Sequence, residues 1–283
     1  MKAVSSQIDA RLGDEMDCDA LNTLKEFLVN CKSSLKEPCR RECPSCGASR
    51  SVYCYDCCEV LVTREEWPVG LQDLELPFSV DFILDDRRSS ATGIHAISAL
   101  KKSGRNSAHT HRLLDQNRSA GVPDYSEREG DFFLFPSDKS VGLSTVASRI
   151  RRLIVLDCRW TKSSMRTDPR LQKIPQVHLD NPPKESFFWR WHNSGEGMLS
   201  TIEATYFAAW EVSSQQRWSL ERRRNLVNLL WIFGIQRAVI QRRYESGKGH
   251  NLIPHLPFSE EGKTCARKFR MRHVNQNEKN VES

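Results

Sequence analysis

The chain has 283 residues, a formal net charge of +6 and 39% hydrophobic residues, enough for one sizeable core and a small appendage. Its longest apolar run, residues 229–235, is far shorter than the ~20 residues that cross a bilayer, which excludes a membrane-spanning protein. The first residues lack the apolar core of a signal peptide, so we expect a soluble protein of the nucleus or cytoplasm. In such a reducing compartment, the ten cysteines are not expected to form disulfides.

Charge is distributed unevenly along the chain. Residues 1–75 hold nine basic and fourteen acidic side chains, a net of −5, whereas the remaining 208 residues hold 33 and 22, a net of +11. Basic clusters lie in this second part, at 149–152, 222–224, 242–243 and 267–272. Several clusters on one domain favour a polyanion partner such as nucleic acid, although a single cluster is more typical of a solvated helix face.

Residues 1–38 form a polar leader with one predicted helix over 20–29, which either packs on the body or frays. Two C-x2-C pairs follow, seven residues apart, in a segment that we assign to a ribbon over 39–66. Four thiolates at this spacing suit tetrahedral Zn²⁺ in a closed, structural site, whereas the alternative is a set of free thiols. Cys39 and Cys58 flank the pairs, but the two-residue spacing selects as ligands Cys43, Cys46, Cys54 and Cys57.

The main body is predicted over residues 67–245 and begins with a strand at 77–84. A turn and short helix follow over 92–100. His95 on this helix is a candidate site residue, but a buried histidine with its hydrogen bonds satisfied is the more typical case. Polar residues marked by glycine and proline over 101–130 indicate a surface insertion.

Two apolar runs, at 131–135 and 152–157, predict strands that are buried on both faces of a sheet, as in an α/β fold with helices on each side. The first run leads to a turn at Ser137 and the second ends at Asp157. If these strands are parallel neighbours, both turns border the crevice where open α/β sheets bind ligands. The simpler alternative is that Asp157 caps a following helix that begins at Trp160, and that Trp160 only packs.

The remaining elements of the body are a helix over 141–150, a strand over 174–179 and a long helix over 219–244. The long helix carries an apolar stripe on one side and arginines on the other. An aromatic run at 187–192 can stack bases, but such clusters are more often core. The basic tail over 246–283 is expected to be disordered.

The sequence Ser200-x-x-Glu203 predicts a capping box at the start of a helix. In this motif the serine side chain accepts from the backbone N–H of the glutamate, and the glutamate side chain accepts from the backbone N–H of the serine. This pairing is a sufficient structural reason for both residues. The same helix N-terminus also offers free N–H donors that can hold the carboxylate of a ligand.

Several short strings together resemble the signatures of the DTW-domain family: LFPS at 134–137, LDCRW at 156–160, STIEA at 200–204 and FWR at 188–190. The four-cysteine ribbon is also a feature of this family, and the similarity extends over about residues 38–241. DPRLQ at 168–172 and the STIEA string resemble the first of the two eukaryotic paralogues. One position departs from the family motif Asp-x-Thr-Trp, because Arg159 stands where threonine is usual.

The resemblance implies a SPOUT-like α/β fold with a knotted S-adenosylmethionine site. It also implies transfer of the 3-amino-3-carboxypropyl group of S-adenosylmethionine to N3 of a D-loop uridine in tRNA. The co-substrate is then expected to contact Phe135, Pro136, Ser137, Leu156, Asp157, Ser200, Thr201 and Glu203. The tRNA is expected to contact Arg159, Trp189 and Arg190.

On this hypothesis the catalytic residues are Asp157 and Trp160. Asp157 either accepts the N3 proton of uridine or binds the ammonium group of the co-substrate. Trp160 is expected to stack on adenine or uracil. Two other functions fit the same sequence: an RNA methyltransferase on the same fold, or a non-catalytic zinc-ribbon RNA-binding protein in which Arg159 marks a lost active site.

Overall fold

A parallel six-stranded sheet with helices against both faces forms the centre of the protein, which confirms the predicted α/β class. The structure is a computed structural model that describes residues 19–34, 39–104, 109–115, 123–125, 128–159, 168–184, 186–189 and 198–246. None of the helices in these ranges has the length and apolarity that a membrane crossing requires.

The N-terminal part consists of a helix, α1 (residues 19–33), and a four-cysteine ribbon of two small hairpins. The hairpins pair β1 (Arg41–Glu42) with β2 (Ser49–Arg50), and β3 (Tyr53–Cys54) with β4 (Glu59–Val60). α1 does not fray, because Leu24 and Leu28 are buried in the main core. Of the two alternatives for the helix in the polar leader, packing on the body is therefore the correct one.

The sheet is built from β5 (Ser79–Leu84), β6 (His111–Asp115), β7 (Asp131–Leu134), β8 (Val141–Gly142), β9 (Arg152–Asp157) and β10 (Gln176–His178). The strands lie in the order β6-β5-β9-β7-β10-β8. The four runs predicted as strands are confirmed as β5, β7, β9 and β10. Their side chains are almost all buried because both faces of the central strands are covered, which is why these segments are continuously apolar.

The helices are α2 (Gly93–Leu100), α3 (Leu143–Val146), α4 (Pro169–Gln172), α5 (Thr201–Gln215), α6 (Leu220–Asn225) and α7 (Trp231–Glu245). Successive side chains of β9 point to opposite faces of the sheet and therefore into two separate cores. Leu153 and Val155 join the large core, which also holds α2, α3, α5 and α7. Ile154 joins a smaller core on the opposite face, which α4 covers.

The expected insertion over 101–130 contains a strand that was not predicted, because residues 111–115 form β6 and extend the sheet beside β5. Most of this edge strand is only half-buried, so its sequence lacks the continuous apolar run that marks the central strands. Tyr125 is also tied to the sheet, since its hydroxyl donates a hydrogen bond to Asp81 at 2.8 Å.

Two predicted helices are shorter than expected. The segment predicted as a helix over 141–150 begins as β8 and continues as the single turn α3, whose Ser144 N–H donates to Asp180. The helix predicted over 219–244 is divided into α6, a 3-10 segment (Leu226–Leu230) and α7. Asn225 and Asn228 donate to the carbonyls of the turn at residues 69–70, and this attachment coincides with the tighter winding.

Candidate active site

The parallel sheet brings the carboxyl ends of its strands to one edge. β7 and β9 are parallel neighbours, as the crevice hypothesis requires. β9 ends at Asp157, and β7 continues beyond Leu134 into the turn that carries Ser137. Both predicted turns therefore lie at the ligand-binding edge of the sheet.

The carboxylate of Asp157 lies at the N-terminal end of α2. Asp157 is 5% exposed, and its Oδ2 accepts a hydrogen bond from the Gly93 N–H at 2.5 Å. A Cβ at position 93 would lie 2.9 Å from Oδ2 and 3.0 Å from the ring of Phe82, so this approach requires glycine. The free N–H groups and the dipole of a helix N-terminus favour a negative charge. Asp157 thus caps a helix that precedes it by more than sixty residues.

A second helix N-terminus meets the same carboxylate. The hydroxyl of Thr201, the first residue of α5, and the N–H of Thr92 both lie close enough to Asp157 to lower its pKa. The hydroxyl of Thr92 in turn accepts the N–H of Ile202 at 3.2 Å. The tip of β9 and the starts of α2 and α5 are therefore fastened together around Asp157.

Burial raises the pKa of Asp157 to about 7, well above its ordinary value. The hydrogen bond from Gly93 opposes this shift, the negative charge of Asp86 adds to it, and the bonds from Thr201 and Thr92 oppose it. Asp157 therefore changes its protonation near neutral pH. A carboxylate with a pKa near the working pH is suited to accept a proton and to return it.

An ion pair lies beside this carboxylate. Nε of Arg159 lies 3.2 Å from Oδ1 of Asp86, and the arginine side chain is 59% exposed. An ion pair with so exposed a partner contributes little stability, so the guanidinium can exchange Asp86 for another anion at low cost.

Ser137 is held by the neighbouring strand. Its hydroxyl donates to Oε1 of Gln176 in β10, and its carbonyl accepts the hydroxyl of Ser140 at 2.7 Å. Phe135 and Leu156 pack together on the small core, on the face of the sheet opposite Asp157. Pro136 is exposed. The predicted co-substrate residues thus form two groups at the sheet edge, one polar around Asp157 and one apolar around Phe135.

Glu203 is fully buried and forms the predicted capping box. Oε2 accepts from the N–H of Ser200 at 2.9 Å, from its hydroxyl at 2.6 Å and from the hydroxyl of Ser186 at 2.7 Å. Oε1 accepts the N–H of Phe187 at 2.5 Å. Burial raises the pKa of Glu203, and these hydrogen bonds oppose that shift. The carboxylate joins residues 186–187 to the start of α5, next to Thr201.

Replacing Glu203 by glutamine is expected to lower the free energy of unfolding by about 2 kcal/mol, because the amide NH₂ faces buried donors that then lack an acceptor. Urea unfolding of the two proteins measures this difference. Glu221→Gln in the first turn of α6, which is exposed, is the matched control. Equal stability of Glu203→Gln and wild type would contradict the capping role.

The four predicted zinc ligands come together. The sulfur atoms of Cys43, Cys46, Cys54 and Cys57 all lie within 4.8 Å of one another. Cys58 is bonded elsewhere, since its sulfur accepts from Arg88 at 3.5 Å, and Cys39 is exposed outside this group. Within the described ranges, the set of four that the spacing selected is therefore the one that the fold assembles.

The chemistry of this group fits a structural zinc ion. Gly47 follows the first pair with φ +69°, and its N–H donates to the carbonyl of Cys43 at 2.8 Å, which closes a tight turn around the sulfurs. Against the effect of burial, the N–H groups of Ser45 and Cys46 and the neighbouring thiols lower the pKa of Cys43 to about 7, whereas the neighbouring thiols raise the pKa of Cys57 and burial raises that of Cys54. Four sulfur ligands complete a tetrahedral shell, which leaves no position for a substrate.

The sequence profile of the DTW domain matches residues 40–233, from the ribbon to the start of α7. The chain belongs to the DTW-domain family. It is 23% identical over 260 residues to mouse tRNA-uridine aminocarboxypropyltransferase 1, covering 74% of this chain and 80% of the relative. The protein of the same name from Xenopus laevis is 26% identical over 245 residues, covering 69% and 78%. No solved structure matches the chain.

The aromatic run of this DTW domain packs as core where it is described. Phe187 and Phe188 are buried, and the half-buried Trp189 contacts the rings of His95 and Phe233 at centroid distances of 6.1 and 5.3 Å. His95 is buried too and shares a 2.7 Å hydrogen bond with the hydroxyl of Tyr53. The prediction that His95 belongs to the core is confirmed.

Two predicted site residues of the DTW domain, Trp160 and Arg190, lie outside the described residues, as do the predicted helix from residue 160 and the tail over 247–283. Their roles stay predictions. Thr92 and Gly93 were not predicted from the sequence as neighbours of Asp157. A Thr-Gly pair between a strand and a helix indicates that another group lies close to the backbone there, but it does not identify that group as a particular carboxylate.

Proposed function

We propose that the protein is a tRNA-uridine aminocarboxypropyltransferase, which transfers the 3-amino-3-carboxypropyl group of S-adenosylmethionine to N3 of a D-loop uridine. The observation that carries this proposal is Asp157, a buried carboxylate with a pKa of about 7 at the ligand-binding edge of a DTW domain. The mouse and Xenopus relatives, which are named tRNA-uridine aminocarboxypropyltransferase 1, support the same activity. The protein is proposed to act in the nucleus or cytoplasm.

Asp157 is proposed to be the proton acceptor. Uridine N3 carries a proton and becomes a good nucleophile only when that proton leaves. In the proposed step the carboxylate takes the N3 proton, the bond from N3 to the transferred carbon forms, and the bond from that carbon to sulfur breaks. Methylthioadenosine leaves. The bond from Gly93 holds the carboxylate in place, so its reorientation does not add to the barrier.

The residues around Asp157 suit the parts of S-adenosylmethionine. The N-terminus of α5 at Thr201 offers its helix dipole for the carboxylate of the co-substrate, whereas the donors of Ser200 already bond to Glu203. At the same sheet edge, on the face opposite Asp157, Phe135 and Leu156 offer apolar surface, and Ser137, whose hydroxyl donates to Gln176, lies in the same turn. We assign Glu203 a positioning role, because its hydrogen bonds already hold Ser200 and Phe187. The alternative is that Asp157 binds the ammonium group of S-adenosylmethionine. In that case replacing Asp157 changes KM rather than kcat.

We propose that tRNA phosphates bind the basic rim of this edge. Arg159 is exposed and can leave Asp86 for a phosphate, which gives the residue that replaces the usual threonine a function in the substrate complex. Trp160 and Arg190 are proposed to assist through stacking and charge, together with Trp189. Because phosphate contacts release counterions, affinity for tRNA is expected to fall with rising salt.

We further propose that the chain is knotted in the SPOUT-like manner. Residues 135–140 connect β7 to β8 across β10, which lies between these two strands. The chain then continues to β9, which pairs with β7 and so closes a loop that runs from β7 through β8 to β9. α4, before β10, packs on one face of the sheet, whereas α5, after it, packs on the other. The chain therefore moves from one face of the sheet to the other at β10, and this change of face supports its passage through the loop.

Identification of both products tests the proposed function. The protein is incubated with S-adenosylmethionine and unmodified tRNA, and nucleosides and small molecules are analysed by mass spectrometry. We expect aminocarboxypropyl-uridine and methylthioadenosine in equal amounts. Methyluridine with S-adenosylhomocysteine would identify a methyltransferase instead, and tRNA binding without either product would identify a non-catalytic RNA-binding protein.

The rate of transfer is expected to rise with pH through about 7 and then to level off. The raised pKa of Asp157 means that the carboxyl is protonated below this pH, where it cannot accept the uridine proton. Single-turnover rates between pH 5.5 and 8.5 measure the profile. A rate that is independent of pH across this range would contradict a base with this pKa.

A further inference from the structure

The segment between β5 and α2 contacts Asp157 at both of its ends. At the start, the N–H of Asp85 donates to the carbonyl of Asp157 at 2.9 Å. At the end, the N–H of Gly93 donates to its carboxylate. A displacement of residues 85–93 therefore moves the donors that orient the carboxylate.

Arg88, in the middle of this segment, attaches it to the second cysteine pair of the ribbon. Its guanidinium donates to two backbone carbonyls, one thiol and one carboxylate: Tyr55 O at 2.9 Å, Asp56 O at 3.1 Å, Cys58 Sγ at 3.5 Å and Asp115 Oδ2 at 2.8 Å. The side chains of Arg88 and Asp115 are only 14% and 7% exposed. The two carbonyls belong to the residues between the ligands Cys54 and Cys57, so their positions depend on the closed metal site.

The ribbon also holds α2 itself. The Tyr53 hydroxyl bonds to His95 in the first turn of α2, and Lys101 at its C-terminal end donates to the carbonyl of Cys57 at 2.9 Å. The helix whose first N–H orients Asp157 is thus fixed to the ribbon near both ends.

We propose that Arg88 is a positioning residue, through which the metal-bound ribbon sets the geometry of Asp157. This inference rests on the proposed function for its effect on catalysis, but not for its effect on structure. When the ribbon opens, Arg88 loses two carbonyl acceptors while its charge stays nearly buried. Because an unpaired buried donor is costly, the side chain and the segment around it must move to find new partners.

Coupling through Arg88 acts in both directions. If the closed ribbon stabilises the segment at residues 85–93, then an intact segment also stabilises the closed ribbon and slows loss of its metal. Partners in the shell outside metal ligands typically change metal affinity or activity by about 10- to 100-fold when they are removed. We expect effects near the lower end of this range, because Tyr53 and Lys101 keep their contacts.

The test compares Arg88→Ala with Arg87→Ala in the full-length, zinc-loaded protein. Arg87 is the adjacent arginine and is exposed, so it is the matched control. Three quantities are measured: the rate of zinc transfer to a coloured chelator, hydrogen exchange of peptides covering residues 85–93, and kcat and KM for transfer. In Arg88→Ala we expect zinc release and exchange to be faster by about tenfold, and kcat to be lower by about tenfold with KM for tRNA unchanged. Arg87→Ala should behave as wild type.

Two further proteins make the result decisive. Asp115→Asn removes the ion pair but leaves the carbonyl contacts of Arg88, and we expect intermediate changes. Wild-type protein treated with chelator should show the same faster exchange at 85–93 as Arg88→Ala. If Arg88→Ala does not fold, Asp115→Asn and the chelated protein carry the test.

The inference is overturned if Arg88→Ala releases zinc and exchanges its amides at the wild-type rate, or if chelation leaves exchange at 85–93 unchanged. A lower melting temperature with unchanged kcat would likewise reduce Arg88 to a structural residue. If wild type itself shows no transfer, the proposed function fails, whereas the zinc-release and exchange results still decide whether ribbon and segment are coupled.

Discussion

Replacing Asp157 by asparagine is expected to lower the rate of transfer by about 10²- to 10⁴-fold, the usual contribution of a general base. The amide keeps an oxygen that can accept the Gly93 N–H, so the fold is expected to persist. It cannot accept the N3 proton of uridine. Single-turnover kinetics with saturating tRNA and S-adenosylmethionine measure the chemical step.

Asp138→Asn, an exposed aspartate in the turn after β7, is the control for a change of charge at the same edge. A wild-type rate in Asp157→Asn would remove this residue from the mechanism. A raised KM for S-adenosylmethionine with normal kcat would instead assign Asp157 to the ammonium group of the co-substrate.

Replacing Cys43 by serine is expected to abolish zinc binding and to lower the melting temperature by about 5–10 °C, at about 2–4 °C per kcal/mol for a chain of this size. The ribbon has only two-residue strands, so a bound metal is expected to supply most of the order in this part of the chain. Zinc content by atomic emission and thermal unfolding measure the two effects.

Cys39→Ser is the matched control, because this cysteine flanks the ribbon but lies exposed outside the sulfur group. It should keep zinc and melt as wild type does. A metal-free wild-type preparation with an unchanged melting temperature would contradict a structural role for zinc.

Much of the central sheet could be predicted because its strands need apolar residues on both faces. The run at residues 152–157 and the phenylalanines at 132–133 are of this kind, and both form central strands. The cysteine spacing was informative for a similar reason, since a tetrahedral site tolerates few loop lengths. In each case a local constraint on geometry leaves a local pattern.

What escaped prediction depends on contacts between distant segments. β6 is an edge strand, and its pairing with β5 is satisfied by backbone groups that the sequence does not distinguish. The attachment of Gly93 to Asp157 and of Arg88 to the ribbon joins parts of the chain that no spacing rule connects. The division of the last predicted helix coincides with hydrogen bonds from Asn225 and Asn228 to partners more than 150 residues away.

The packing of α1 shows that the region matching the DTW profile and the folding unit of this protein have different boundaries. α1 precedes the matched region, 40–233, and most of α7 follows it. The two helices touch closely, since a Cβ at Gly234 would lie 2.7 Å from the sulfur of Cys31, and Tyr206 in α5 donates to the carbonyl of Ala20. A fragment trimmed to 40–233 would expose the part of the main core that Leu24 and Leu28 of α1 cover and would be prone to aggregate. Expression for biochemical work should therefore include residues 19–246.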